Sequence, residues 1–137
     1  MKTVDALIRS EADGTLSFGD FSLKEKKKLS DFKHSGDLYK VKTFNEITKL
    51  EKNETFVYES VPGSAVFGFK ESGEEVTFSV TGAQNIQITL ELEPDQEYEA
   101  FVAGASIGKI KTNIGGKLVL SVEADADKET PVKIVKA

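Results

Sequence analysis

The stretch from Tyr98 to Val122, Y-E-A-F-V-A-G-A-S-I-G-K-I-K-T-N-I-G-G-K-L-V-L-S-V, constrains the chain more than any other. Tyr98, Ala100 and Val102 alternate with Glu99 and Phe101, Ile110 stands between Lys109 and Lys111, and Leu118, Leu120 and Val122 alternate again beyond Gly115-Gly116. Alternation at period two, punctuated by glycine, predicts three antiparallel strands joined as a meander. A three-residue loop at Gly104 to Ser106 is expected, with Glu99 opposite Lys111 and Ala100 opposite Ile110, because that register keeps like faces together. Gly104 is expected to have positive φ, and Gly116 to open the third strand where a side chain would crowd its neighbour.

The rest of the chain extends this pattern in both directions. Leu7 and Arg9 lead to Asp13-Gly14, with Leu16, Phe18 and Phe21 beyond, which predicts an N-terminal hairpin; a short helix over 4–10 is the alternative. The lysine-rich 22–29 segment is expected to form one or two helical turns, and 44–50 to extend a strand or start a helix. Strands follow over 37–43 and 55–59, with a turn at Lys52-Asn53-Glu54. Val61-Pro62-Gly63-Ser64 then breaks the run, since proline has no N–H for a ladder. Short strands continue through Val66 to Phe69, Val76 to Val80, Ile86 to Leu92 and Val132 to Val135.

Together these segments predict a mainly β fold, an antiparallel sandwich or open barrel with at most one or two short helices. The boundary between an N-terminal, phenylalanine-rich half (1–72) and an acidic C-terminal half (73–137) is placed at Glu71-Ser72-Gly73-Glu74. Four residues are too few for a flexible linker, so the halves are expected to pack closely.

Charge bears on partners. Residues 71–137 hold six lysines against twelve acids, and the span from Glu71 to Gly108 has no lysine or arginine. Such a surface repels phosphate backbones, and the one basic concentration (Lys24, Lys26, Lys27, Lys28 and Lys33) is diluted by Glu25, Asp31 and Asp37. No nucleic-acid partner is expected. The apolar run at the N-terminus, interrupted by Asp5 and Arg9, is too short for a signal-peptide core, and no window approaches a membrane span, so the expectation is a cytoplasmic protein with no membrane partner. The absence of cysteine agrees with a reducing compartment.

Little points to catalysis. There is no cysteine nucleophile, and His34, the one histidine, lies in the polar context Lys33-His34-Ser35-Gly36. No catalytic residue, metal ligand or cofactor is expected; a carboxylate pair serving a glycoside hydrolase is a remote alternative. The alternating acids Glu91, Glu93, Asp95, Glu97 and Glu99 read as a solvated sheet face, and Glu123 to Glu129 as a polar connection lacking the glycine and spaced glutamate of a calcium loop.

The candidate binding residues are apolar. Phe56-Val57-Tyr58 to Phe67 carries large groups on both alternate faces, which predicts either complete burial or an interface. On that ground Phe56, Tyr58, Val61, Phe67 and Phe69 are candidate interface residues, with the protein itself or another protein as partner. Tyr39, Tyr58 and Phe101 are candidate exposed aromatics for a carbohydrate or small ligand. A non-catalytic interaction protein, acting as a homo-oligomer, is the first expectation, and a glycan-binding module the second.

The positions Tyr98, Gly104, Gly108, Thr112, Gly116, Leu118 and Val122 resemble, in their spacing, the small accessory β modules at the ends of bacterial glycan-active enzymes. The whole chain is similar to short bacterial β-proteins that sometimes carry the label endosialidase. The resemblance implies a module architecture joined to glycan chemistry; it transfers no catalytic residue, and Arg9 is the one arginine available where sialidases use several.

Overall fold

The computed structural model describes residues 1–137 and contains thirteen β-strands and no helix. In chain order they are β1 (Ile8–Ser10), β2 (Leu16–Phe18), β3 (Lys27–His34), β4 (Asp37–Thr43), β5 (Thr48–Lys52), β6 (Thr55–Val61), β7 (Ala65–Glu71), β8 (Glu75–Thr81), β9 (Ile86–Glu91), β10 (Glu97–Val102), β11 (Ala105–Lys111), β12 (Lys117–Val122) and β13 (Thr130–Lys136). They form two antiparallel sheets, a seven-stranded one ordered β1-β2-β7-β8-β13-β10-β11 and a six-stranded one ordered β12-β9-β6-β5-β4-β3. The architecture is the expected sandwich, not a closed barrel.

Period-two alternation explains how the layers meet. In β9, Ile86, Ile88 and Leu90 are buried while Gln87 is exposed, and in β12 Leu118, Leu120 and Val122 face the same interior. The core is one cluster of 21 residues drawn from both sheets. At its centre Phe18 and Phe78 both pack edge-on to Tyr58, at ring-centroid distances of 5.3 and 5.9 Å. Such edge-to-face pairs add about 0.5–1.5 kcal/mol beyond simple burial. Phe21 and Phe67 join Val4 and Ala65 in a smaller cluster.

The N-terminal (1–72) and C-terminal (73–137) halves both contribute strands to each sheet. Ser72 and Gly73 lie in the turn between β7 and β8, where the Ser72 N–H donates to the Glu75 carbonyl at 2.9 Å. N-terminal β7 is paired to C-terminal β8, and N-terminal β6 to C-terminal β9, so each sheet interleaves both halves.

The N-terminal hairpin forms as β1 and β2, in place of the alternative helix. The helical turns expected over 22–29 are absent: Lys27 already pairs with Thr43 as β3 joins β4, so long-range pairing overrides the helical preference of a lysine run. Residues 44–47 turn, with the Phe44 N–H donating to the Ile47 carbonyl, and β5 follows.

The expected three-stranded meander is not formed: β10 pairs with β11, but β12 crosses to the six-stranded sheet and pairs with β9. The β10–β11 register differs from expectation by two residues. The loop is Ala103-Gly104, both with positive φ (53° and 83°), and Glu99 lies opposite Lys109 while Glu97 lies opposite Lys111. A bulge after Ala100 adds one residue on β11, so polar and apolar faces still agree around a two-residue turn. Gly104 has the expected positive φ.

Where the sheets close on each other, a buried polar knot ties four segments. Ser64 Oγ bonds Tyr58 Oη at 2.8 Å and Ser60 Oγ at 2.6 Å; Thr48 Oγ1 donates to the Ser64 carbonyl, accepts from the Ser64 N–H and meets Thr43 Oγ1 at 2.8 Å. Every buried side-chain polar atom is satisfied, as burial of hydroxyls requires. No helix is long and apolar enough to cross a membrane.

Candidate functional site

Strand pairing across the seven-stranded sheet builds two short rows on its outer face. Phe67, Ser79 and Pro131 are successive cross-strand neighbours on β7, β8 and β13, and Thr77, Lys133 and Phe101 follow on β8, β13 and β10. Gly68, at φ +65°, sits where the β7–β8 register shifts. The result is an open groove of about 670 Å³ with Phe67 and Phe101 among its walls and Thr77 and Ser79 among its small residues. No side-chain hydrogen bond within the chain engages either hydroxyl, and both residues are half-buried.

The rim of this groove is charged but internally balanced. Glu129 pairs with Lys2, whose ammonium also lies 5.2 Å from the Phe67 ring centroid, and Lys133 Nζ reaches Glu75 at 3.9 Å. An apolar wall beside unengaged hydroxyls suits a ligand with one flat apolar face and polar edges.

Of the aromatics expected to bind ligand, Phe101 lines this groove. Tyr39 is half-buried at the far side of the other sheet, edge-on to His34 at 5.9 Å, and burial pushes its hydroxyl above the usual tyrosine range. It lines a separate cleft of about 490 Å³ beside Leu38 and Asn53. Tyr58 is no ligand residue: its side chain is fully buried in the core, and desolvation raises its hydroxyl strongly, opposed by hydrogen bonds from Ser64 and Ser60. The three residues do not converge.

The expected interface run is largely absorbed by the chain itself. Tyr58 is 0% exposed, and Phe67 and Phe69 are 8% exposed, so these three do not form an external contact face. Phe56 is half-buried beneath Lys117, whose ammonium stands 3.7 Å from its ring centroid. Val61 alone among the five is well exposed, at 52%. The run is apolar on both faces because Tyr58 enters the core while Phe56 is roofed from outside.

The alternating acids are matched one by one. Glu91 Oε1 meets Lys117 Nζ at 2.7 Å, Glu93 meets Lys136 at 2.8 Å, Asp95 meets Lys111 at 3.3 Å, Glu97 meets Lys109 at 4.0 Å, and Glu99 accepts a hydrogen bond from Ser106. Glu91 and Glu71 also line two small clefts at this end of the sandwich, of about 300 and 330 Å³, each less than half the volume of the groove. Burial pushes the Glu71 carboxyl up, partly offset by Lys52. His34 is held structurally, with Nδ1 2.7 Å from Ser10 Oγ and Nε2 3.2 Å from the Gly14 carbonyl, and so pins β3 to the N-terminal hairpin.

The Phe67 contribution to the groove was missed from the sequence because it depends on β7 and β10 being placed two strands apart by β8 and β13. Fold and groove together define a two-sheet β-sandwich with a ligand-sized depression on one outer face. No family model, curated protein or solved structure matches this chain.

Proposed function

We propose that this protein is a non-catalytic binding module whose groove on the seven-stranded sheet takes a small ligand or a short glycan segment. The observation that carries the reading is the placing of half-buried Phe101 beside the unengaged Thr77 and Ser79 hydroxyls in one depression of about 670 Å³, where Phe67, buried and covered by Lys2, serves only to shape the wall. A sugar ring presents an apolar face to an aromatic and hydroxyls to its edges, which is the complement of that lining. Binding is favoured over glycoside hydrolysis because Glu129 is the one carboxylate lining the groove and is tied to Lys2, whereas hydrolysis uses two flanking carboxylates.

The test is a glycan array probed with the full chain, followed by titration of any hit against variants. Phe101→Ala is expected to weaken binding about tenfold, the order of a lost stacking contact, while Tyr39→Ala leaves it unchanged. An array without signal above background, or equal losses in both variants, would overturn the assignment.

A further inference from the structure

The outer face of the six-stranded sheet gathers lysines that the sequence scatters. Lys28 on β3 is the cross-strand neighbour of Lys42 on β4, which neighbours Lys49 on β5, and Lys40 on β4 lies two residues along the same face. These four side chains, with Glu51, line a single cleft of about 180 Å³. None of them takes part in any of the nine ion pairs of the molecule.

Like charges directly opposite on neighbouring strands are destabilising, and this row has two such pairs in succession. The cluster is also felt by its members: the Lys42 ammonium is held below the usual lysine range by desolvation first and then by Lys26, Lys49 and Lys28. The nearby acids do not cancel it. Glu51 stands opposite Lys40 and Glu59 opposite Lys49, yet neither closes to an ion pair, so four ammonium groups face two carboxylates.

We propose that this face is a binding site for a ligand bearing two or more linked phosphate-type oxyanions, held by Lys28, Lys40, Lys42 and Lys49. Adjacent strands lie about 4.8 Å apart, so the Lys28–Lys42–Lys49 row covers about 10 Å, a span suited to linked anionic groups. Lysine supplies compact, strongly hydrated point charges, suited to anions recognised by charge instead of by bidentate geometry. A single-stranded nucleic acid is disfavoured because its bases need open aromatic faces. The two rings beside the row are covered, with the Lys26 ammonium 5.8 Å from the Phe44 centroid and those of Lys117 and Lys49 3.7 and 5.9 Å from that of Phe56.

The experiment is calorimetric titration of the full chain with sodium tripolyphosphate at about 0.1 M ionic strength, where exposed charges are screened beyond about 10 Å. The wild type is expected to bind tripolyphosphate more tightly than inorganic phosphate. The double variant Lys42→Gln, Lys49→Gln is expected to lose about tenfold or more in affinity, since each lysine near a polyanion adds roughly a fivefold factor. The control Lys109→Gln, Lys111→Gln, which removes lysines already engaged by acids, should change affinity less than about twofold. Circular-dichroism melts confirm that each variant is folded, and Lys28→Gln, an exposed change on an edge strand, repeats the test should the double variant unfold. No binding by the wild type, an equal loss in the control, or a thymidine oligonucleotide that outcompetes tripolyphosphate at equal charge would overturn the proposal.

Discussion

Two strips of charge lie on this sandwich, and they are built by opposite rules. Along Glu91 to Glu99 every acid has a partner, four of them lysines from β11, β12 and β13. Across β3, β4 and β5, Lys28, Lys42 and Lys49 meet in register, and Glu51 and Glu59 beside them form no ion pair. The molecule has enough carboxylates to neutralise both strips, with 23 acids for 18 basic residues. The difference therefore shows that leaving the lysine strip open is a matter of placement rather than of supply. A matched strip makes a sheet surface quiet and protects its edge; an unmatched one keeps a local field that an anion can use.

The largest effect is expected where the matched strip depends on the backbone. Gly116 has φ +83°, and a Cβ there would lie 2.3 Å from the Leu92 carbonyl oxygen, next to the Glu91–Lys117 pair. Gly116→Ala should destabilise by about 3 kcal/mol or more, because positive φ and a backbone collision act together. Gly104 has the same φ with nothing within 4 Å of a Cβ, so Gly104→Ala should cost only about 1 kcal/mol. Urea denaturation of both separates the terms: equal losses would show that the close approach at Leu92 relaxes freely.

Lys117 should follow in size. It holds Glu91 and roofs Phe56 at once, so Lys117→Gln should cost about 1–2 kcal/mol, more than a solitary surface ion pair contributes. The same change at Lys42 should have the opposite sign, raising stability by about 0.5 kcal/mol through relief of cross-strand repulsion. Thermal melts at low salt, where repulsion is least screened, read both. Destabilisation by Lys42→Gln would mean that the lysine strip contributes packing that outweighs its repulsion, and the contrast between strips would fail.

How far these features were legible in the sequence follows from how local they are. The Asp13-Gly14 hairpin and the β10–β11 hairpin are short-range, and alternation with turn glycines was sufficient for them; the third strand of the expected meander, β12, pairs with β9 in the other sheet instead, because alternation does not record which sheet a strand joins. The β10–β11 register was shifted because the bulge that skips Ile107 leaves no compositional mark other than Gly108, at φ +102°. Tyr58 looked exposed because Phe56 and Val57 beside it are also apolar, so alternation could not say which face entered the core. The lysine strip was hidden for a different reason: Lys28, Lys42 and Lys49 are separated by 14 and 7 residues, and only strand pairing makes them neighbours. The local run from Lys24 to Lys28 drew attention to the wrong grouping.

The smallest effect, and the one that addresses the physical cause most directly, is in pH dependence. Lys136 is raised above the usual lysine value of 10.5 by its hydrogen bond to Glu93. Its folded form therefore holds the proton more tightly than the unfolded chain, so its stabilising contribution is complete below 10.5 and is lost as pH rises through the raised value. Lys42 is lowered below 10.5 by desolvation and by Lys26, Lys49 and Lys28. Its charged form is penalised in the fold, so the penalty is complete at neutral pH and is relieved as pH climbs through the lowered value toward 10.5. Comparing each wild-type-to-glutamine difference in stability at neutral pH, near 10.5 and above it should give opposite trends. The Lys42→Gln advantage should shrink on the way up to 10.5, while the Lys136→Gln deficit should persist there and shrink only beyond. Parallel trends would mean that the two lysines experience the same surroundings despite their different neighbours, which is the result that would dissolve the distinction between a matched strip and an open one.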